Sequence, residues 1–287
     1  MTINEIFDHI DEMFAEKRIS EVEPFLSQQL RLAETAGEQD KVIAICNELG
    51  GLYRATGRYD KGIPLYQKAL DAIGSLDMNC TEAHATTLIN FGTTYAAQGE
   101  AAEGLMLFSQ AAEILSCIGL DRDYRMATLH NNMSILCQDS GDRPQAIEHL
   151  QKALDILQCL EDSETEIATT YSNMAQIYLL DNDLQKAADA CGLSVSLFEK
   201  ISGDSDVHYS AAIETRGQIS LIRGEKDKAL ADFRKALSLI ERDYGRDTPA
   251  ANALHGLIAR VEQEVDAKQQ TDRFTLRPEK VILFSRE

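Results

Sequence analysis

Tryptophan is absent from this 287-residue chain, proline occurs five times, and aromatic residues make up only 6% of it. So few rings and prolines, beside 17 glycines, do not suit a β-sandwich, and a hydrophobic content of 44% is too high for a disordered chain. The composition that remains is that of an alanine-rich helical protein. Positive charge is scarce as well: 28 Lys and Arg against 47 Asp and Glu leave a net charge of −19. Binding a nucleic-acid backbone needs clustered Lys and Arg that release counterions. The longest basic groupings here are pairs such as Lys17-Arg18, so no nucleic-acid partner is expected.

Long apolar runs are missing too. The longest stretch without a charge, Ala83 to Gly99, is full of Thr, Asn, Gln and Gly, whereas a membrane-crossing helix needs about 20 predominantly apolar residues. A soluble chain with no membrane partner is expected. Met1-Thr2-Ile3-Asn4-Glu5 is not a basic segment leading into an apolar one, which makes a cytoplasmic location the expectation. Six cysteines, Cys46, Cys80, Cys117, Cys137, Cys159 and Cys191, lie far apart with no CxxC and no partnering His. They read as small core hydrophobes in a reducing compartment rather than metal ligands or disulfides.

Catalytic signatures are also wanting. His9, His84, His130, His149, His208 and His255 form no HExxH, and there is no GxxxxGK[ST] loop, no GxGxxG after a strand and no GxSxG elbow. Gly203-Asp204-Ser205-Asp206 opens like a calcium loop but lacks the downstream Gly and bidentate Glu of that motif. It reads as a turn. No enzymatic activity, cofactor or metal is expected.

What the chain does have is a period. Gly57, Gly99, Gly141, Asn182 and Gly224 recur at intervals of 42, 42, 41 and 42. Seven residues before each stands a small residue, Gly50, Gly92, Ser134, Ala175 and Gly217, and three after those come Tyr53, Tyr95, Cys137, Tyr178 and Ser220. Five residues beyond each loop are Gly62, Gly104, Ala146, Ala187 and Ala229, then Tyr66, Phe108, Leu150, Cys191 and Phe233, then Ala69, Ala111, Ala153, Ser194 and Ala236. Apolar residues at helical spacing, a turn residue suited to left-handed backbone, and a second such pattern describe a helical hairpin. The small residues mark where its two helices cross closely. First helices are predicted at roughly 38–56, 80–98, 124–140, 165–181 and 207–223, about thirteen helices in all, with no sheet in the array. His130 and His255 occupy the register position of Cys46, Leu88, Tyr171 and Ile213, which predicts partly buried packing residues.

The order small-x-x-Tyr, turn, Ala, aromatic, Ala resembles the tetratricopeptide repeat, whose usual period is 34 with an early Trp and a late Pro. This chain departs from that pattern in lacking the Trp and the late Pro, and its longer period should lengthen the helices by about two turns per repeat. In that it is similar to the extended repeats of kinesin light chains, most clearly at His84-Ala85-Thr86-Thr87-Leu88-Ile89-Asn90-Phe91-Gly92, Ala127-Thr128-Leu129-His130-Asn131-Asn132-Met133 and Ala168-Thr169-Thr170-Tyr171-Ser172-Asn173-Met174-Ala175. The resemblance covers roughly residues 38–245 and implies an all-α, right-handed superhelical solenoid of stacked antiparallel helix pairs. No heptad segment precedes the array, so a kinesin light chain itself is not expected.

Four segments follow from the register. Residues 1–36 read as a degenerate helix pair capping the array, with Phe14 and Arg18 standing where Tyr53 and Gly57 stand, and with Pro24 in the first turn of the second helix. Residues 37–246 hold five extended repeats, and 247–270 a polar capping helix of the kind that closes a solenoid. Residues 271–287 read as a non-helical apolar tail. It contains Val281-Ile282-Leu283-Phe284, a run expected to pack against the chain's own C-terminal helices.

The first helix of each pair forms the concave wall of such a solenoid. Two positions before each small residue stand Glu48, Asn90, Asn132, Asn173 and Thr215, and four before those Ala44, Thr86, Thr128, Thr169 and Ala211. Asn inside a helix costs about 0.5–0.7 kcal/mol relative to Ala, so three at one register position call for a further reason. In the extended tetratricopeptide proteins that this chain resembles, the matching Asn side chains hydrogen-bond the backbone of an extended peptide. Carried over, this implies a ladder of Asn90, Asn132 and Asn173, with Asn47 and Asn131 one residue earlier and Thr86, Thr128 and Thr169 one turn away. Gln176 and Gln218 occupy the next inward position. A primary amide both donates and accepts, as a peptide unit requires. The same amides could instead pair within the chain and stabilise the stack, and both uses can hold at once. Glu48, Asp139 and Glu214 are the acidic groups of the groove.

The expected function is a non-enzymatic module that binds an extended segment of a protein or peptide partner, a basic segment being favoured by the charge. Two alternatives stand beside it: an intracellular peptide-sensing regulator of a signalling pathway, and a self-associating scaffold.

Overall fold

The computed structural model describes residues 1–201 and 203–275. Among the described residues there are thirteen α-helices and no strand. They fall into two compact units, Met1–Glu161 and Asp162–Glu287. The first unit holds α1 (Ile3–Ala15), α2 (Ile19–Ala36), α3 (Gln39–Ala55), α4 (Tyr59–Ser75), α5 (Glu82–Gln98), α6 (Ala101–Cys117), α7 (Tyr124–Asp139) and α8 (Arg143–Leu157). The second holds α9 (Glu164–Leu180), α10 (Leu184–Ile201), α11 (Tyr209–Ile222), α12 (Lys226–Tyr244) and α13 (Pro249–Thr275), with a 3-10 turn at Gly203–Ser205. Five first helices begin and end within two residues of the ranges that the repeat register predicts.

The turn residues explain where each hairpin bends. Gly57, Gly99, Gly141 and Gly224 have φ of 68°, 89°, 84° and 77°, and Asn182 has 59°. That left-handed backbone is free of strain only without a Cβ, and Asn is the side chain that tolerates it best. In the N-terminal pair the left-handed residue is Lys17, with φ of 60°. The equivalence expected for Phe14 and Arg18 is therefore one residue out of step: Met13 is the buried counterpart of Tyr53, while Phe14 is exposed. Neither Gly nor Asn marks that turn, so its place was hidden in the sequence.

Close helix crossings account for the small residues. A Cβ on Gly92 would lie 2.7 Å from the Phe108 ring, and one on Gly217 would lie 2.7 Å from the Phe233 ring. Gly50 would drive a Cβ into the Tyr66 ring in the same way. Where the small residue gains atoms the opposite one loses them, as in Ser134 with Leu150 and Ala175 with Cys191. Constant volume at a crossing is what dense packing demands. In the first unit, α1–α4 bury one cluster around Ile10, Leu26, Cys46, Leu49 and Ile73, and α5–α7 bury a second around Phe91, Phe108, Leu129 and Leu136 together with Tyr66. In the second unit Phe198, Tyr209, Ile213, Phe233 and Leu254 are buried.

Two further expectations are corrected. Pro24 lies in the interior of α2, beyond its first turn, and Pro64 holds the same place in α4. Both prolines are exposed, so the carbonyl that loses its helical partner meets water instead of the core. Secondly, α13 continues through residues 271–275, where a non-helical tail was expected from 271. Thr271-Asp272-Arg273-Phe274-Thr275 contains no Gly or Pro, and the first strong stop signal, Pro278, comes later. Residues 276–287, with the Val281–Phe284 run expected to dock on the C-terminal helices, lie outside the described residues.

Candidate functional site

Each unit carries a cleft built on the faces of its first helices. In the first unit a cleft of about 630 Å³ lies between α3, which supplies Ala44, Asn47 and Glu48, and α5, which supplies Glu82, Thr86 and Asn90. Its far wall is Ile3 and Phe7 of α1, with Met78 from the α4–α5 connection. In the second unit a cleft of about 590 Å³ is lined by Thr169, Ser172 and Asn173 of α9 and by Ser210, Ala211 and Glu214 of α11. Ile240, Tyr244, Thr248 and Pro249, at the junction of α12 and α13, close it together with Val207 and His208.

The register therefore brings Asn47, Thr86 and Asn90 together in one cleft and Thr169 and Asn173 in the other. Asn47 and Asn90 are used differently. The Asn47 Nδ2 group donates to the Ile43 carbonyl (3.0 Å) and to the Thr87 hydroxyl on α5 (2.9 Å), while its Oδ1 accepts from Asn90 Nδ2 (3.1 Å). Thr87 in turn donates to the Ala83 carbonyl. Asn47 is a strut that ties α3 to α5. Asn90 contributes one donor to that strut and, like Asn47, lines the cleft.

The remaining ladder residues lie elsewhere. Thr128, Asn131 and Asn132 sit on α7, outside the walls of both clefts. The Thr128 hydroxyl donates to the Tyr124 carbonyl (3.1 Å) and Asn131 to the Ala127 carbonyl (3.4 Å). Asn132 is half-buried. On α9, Thr169 donates to the Thr165 carbonyl (2.9 Å), and Gln176 is half-buried outside the cleft lining. Gln218 donates to the Glu214 carboxylate (3.2 Å).

Carboxylates set the electrostatics of both clefts. Burial, reinforced by the charge of Asp11, pushes the Glu48 carboxyl above its ordinary value. Burial also pushes Glu214 up, offset in part by the Gln218 hydrogen bond. Among the described residues, no lysine or arginine lines either cleft. The walls that α1, Met78, Tyr244 and Pro249 supply were not found by repeat register, because the end helices do not follow the 42-residue pattern. The signal present in the sequence was Ile3 and Phe7, four apart and off the Ile6–Ile10–Met13 core stripe of α1.

His130 is partly buried as expected, against His149 of α8, with an Nδ1 to Nδ1 distance of 3.1 Å. His255 is not: it is exposed on α13 and pairs with Glu241 (3.1 Å). The cysteines also divide. Cys46, Cys137 and Cys191 are buried, whereas Cys80, Cys117 and Cys159 are exposed, since they lie at helix ends and connections that the core stripe does not reach. Among the described residues, no group of three or more His, Cys, Asp or Glu could hold a metal ion, and no helix is long and apolar enough to cross a membrane.

The model of the tetratricopeptide repeat family matches residues 41–116, 83–158 and 124–200, which together cover more than half of the chain. No curated protein sequence matches it. Among solved structures the chain is similar to BtubC (BKLC) from P. vanneervenii, at 18% identity over 94% of this chain and 97% of that one, with a TM-score of 0.61. It is similar to NprR in complex with its cognate peptide NprX, at 15% identity over 99% of this chain and 83% of that one, TM-score 0.65. A putative kinesin light chain from Podosopora anserina with nearly identical TPR-like repeats shares 14% identity over 69% of this chain and 95% of that one, TM-score 0.57. At these identities the likeness is one of fold.

Proposed function

Because this chain belongs to the tetratricopeptide repeat family, a family of interaction modules, we propose that it is a non-enzymatic module that holds an extended peptide segment of a partner protein against the first-helix faces of its repeats. The observation that carries this reading is the construction of the two clefts. Each sets a ladder asparagine and threonine beside a carboxylate, Glu48 or Glu214, with no lysine or arginine on its walls. The amides suit a peptide backbone whatever its side chains, and a partly desolvated carboxylate is stabilised by a cation brought in by the ligand. The favoured partner segment is therefore basic, with apolar side chains seated on Ile3 and Phe7 or on Ile240 and Tyr244. NprR, which shares this fold along nearly the whole chain, was solved with a peptide bound. That supports peptide sensing as the second reading of the same clefts.

Replacing Asn90, Asn132 and Asn173 together with Ala is the test. Each amide contact contributes about 0.5–1.5 kcal/mol, so a peptide seated in one cleft should bind roughly two- to tenfold more weakly for the loss of that cleft's own asparagine, Asn90 or Asn173. Affinity capture from the native cell with the intact and the substituted protein should yield a partner that is lost from the variant alone. Because Asn90 also bonds Asn47, thermal stability is measured in parallel. A variant that melts early and still captures the partner would assign the ladder to the stack and sink the proposal.

A further inference from the structure

Cys80 lies in the α4–α5 connection, two residues before α5 begins, and Cys117 is the last residue of α6. Because α5 and α6 run antiparallel as one hairpin, the start of the first lies beside the end of the second. Both thiols are exposed, and the Cys117 side chain lies close enough to act on the Cys80 thiol. We infer that Cys80 and Cys117 are a thiol modification site that closes reversibly to an intramolecular disulfide in exchange with a low-molecular-weight disulfide. Nothing in the peptide-binding reading requires this, and it stands independently of that reading.

The chemistry balances in two displacements. A thiolate of the pair attacks one sulfur of the small disulfide, forms a mixed disulfide and expels a small thiolate, which takes up the proton lost by the cysteine. The second cysteine, as its thiolate, attacks the cysteine sulfur of the mixed disulfide, forms the Cys80–Cys117 bond and expels the second small thiolate. Two cysteine thiols are oxidised, one small disulfide is reduced to two small thiols, and no other oxidant is needed. The adjoining Cys117 side chain pushes the Cys80 thiol above its ordinary pKa.

Repeat register supplies an internal control. One repeat further along, Cys159 follows α8 as the counterpart of Cys117, and the residue two before α7 is Arg122. Cys159 is exposed, but the register position equivalent to Cys80 holds an arginine there. The bond would also act on the first cleft, since Met78 and Glu82, on either side of Cys80, line its wall. Tying Cys80 to the end of α6 would fix that wall in place.

Incubating the full-length protein with oxidised glutathione, blocking the remaining thiols and mapping peptides by mass spectrometry decides the matter. A linked peptide joining Cys80 to Cys117, lighter by two hydrogen atoms, should form at least about tenfold faster than any linkage to Cys159, because tethered partners have effective concentrations in the millimolar range. Dithiothreitol should reverse it, and amide exchange across residues 76–82 should slow in the oxidised form. In C80S and in C117S the remaining cysteine should end as a glutathione adduct, as Cys159 does throughout. Separate adducts on Cys80 and Cys117 in the unsubstituted protein would overturn the inference. Linkage only between molecules, or two thiols left unreacted while Cys159 is modified, would overturn it equally.

Discussion

The His130 and His149 rings meet between α7 and α8 with centroids 5.3 Å apart. Burial first, then the charge of His149, pulls His130 down to about 4, and burial lowers His149 as well. Lys152 depresses both and Glu148 opposes it. The folded protein therefore binds fewer protons here than the unfolded chain between about pH 4 and 6.5, and unfolding is favoured as the pH falls through that window. The stability is fully present above pH 6.5. For His130 a drop from 6.5 to about 4 corresponds to at most about 3 kcal/mol at the acid end. Leucine occupies this register position at Leu88, so His130→Leu should fold and should flatten the dependence of denaturant midpoints between pH 7.5 and 4.5. A variant with the same slope as the parent would remove the histidine pair as its source.

Between elements, the crossing of α5 and α6 leaves no room for added volume. A methyl added at Gly92 meets Phe108 at 2.7 Å and the Gly104 carbonyl at 3.2 Å. Gly92→Ser should destabilise by about 1–3 kcal/mol, the range for overpacked cores. The chain already contains the compensated version, Ser134 opposite Leu150. Gly92→Ser with Phe108→Leu should therefore recover at least half of the loss in a denaturant titration, whereas independent sites would add their losses. Additive destabilisation would show that the two positions do not share one volume.

For the whole molecule, a net charge of −19 sets a field that attracts basic segments from a distance. Screening acts over about 8 Å near physiological ionic strength, so the association rate of a captured basic partner should fall by about tenfold or more from low to high salt while dissociation changes little. Stopped-flow measurements across salt concentrations test this. A rate indifferent to salt would confine the acidic surface to solubility.

The sequence by itself determined the repeat. Left-handed turns accept Gly or Asn and little else, and hairpin crossings hold a constant volume, so Gly57, Gly99, Gly141, Asn182 and Gly224 and their small and large companions were legible from spacing alone. Where the local signal was weak the register slipped, as at Lys17, or the helix end was misplaced, as at residues 271–275. The use of each amide was decided by the tertiary structure. Asn47 and Asn90 look alike as residues, yet the packing of α3 against α5 commits Asn47 to both Thr87 and Asn90 and asks a single donor of Asn90. It was also packing that brought Ile3 and Phe7 of α1 to one cleft, Tyr244 and Pro249 to the other, and Cys80 to Cys117. Such contacts join residues tens of positions apart, and their distances depend on how helices cross, a quantity that no local pattern encodes.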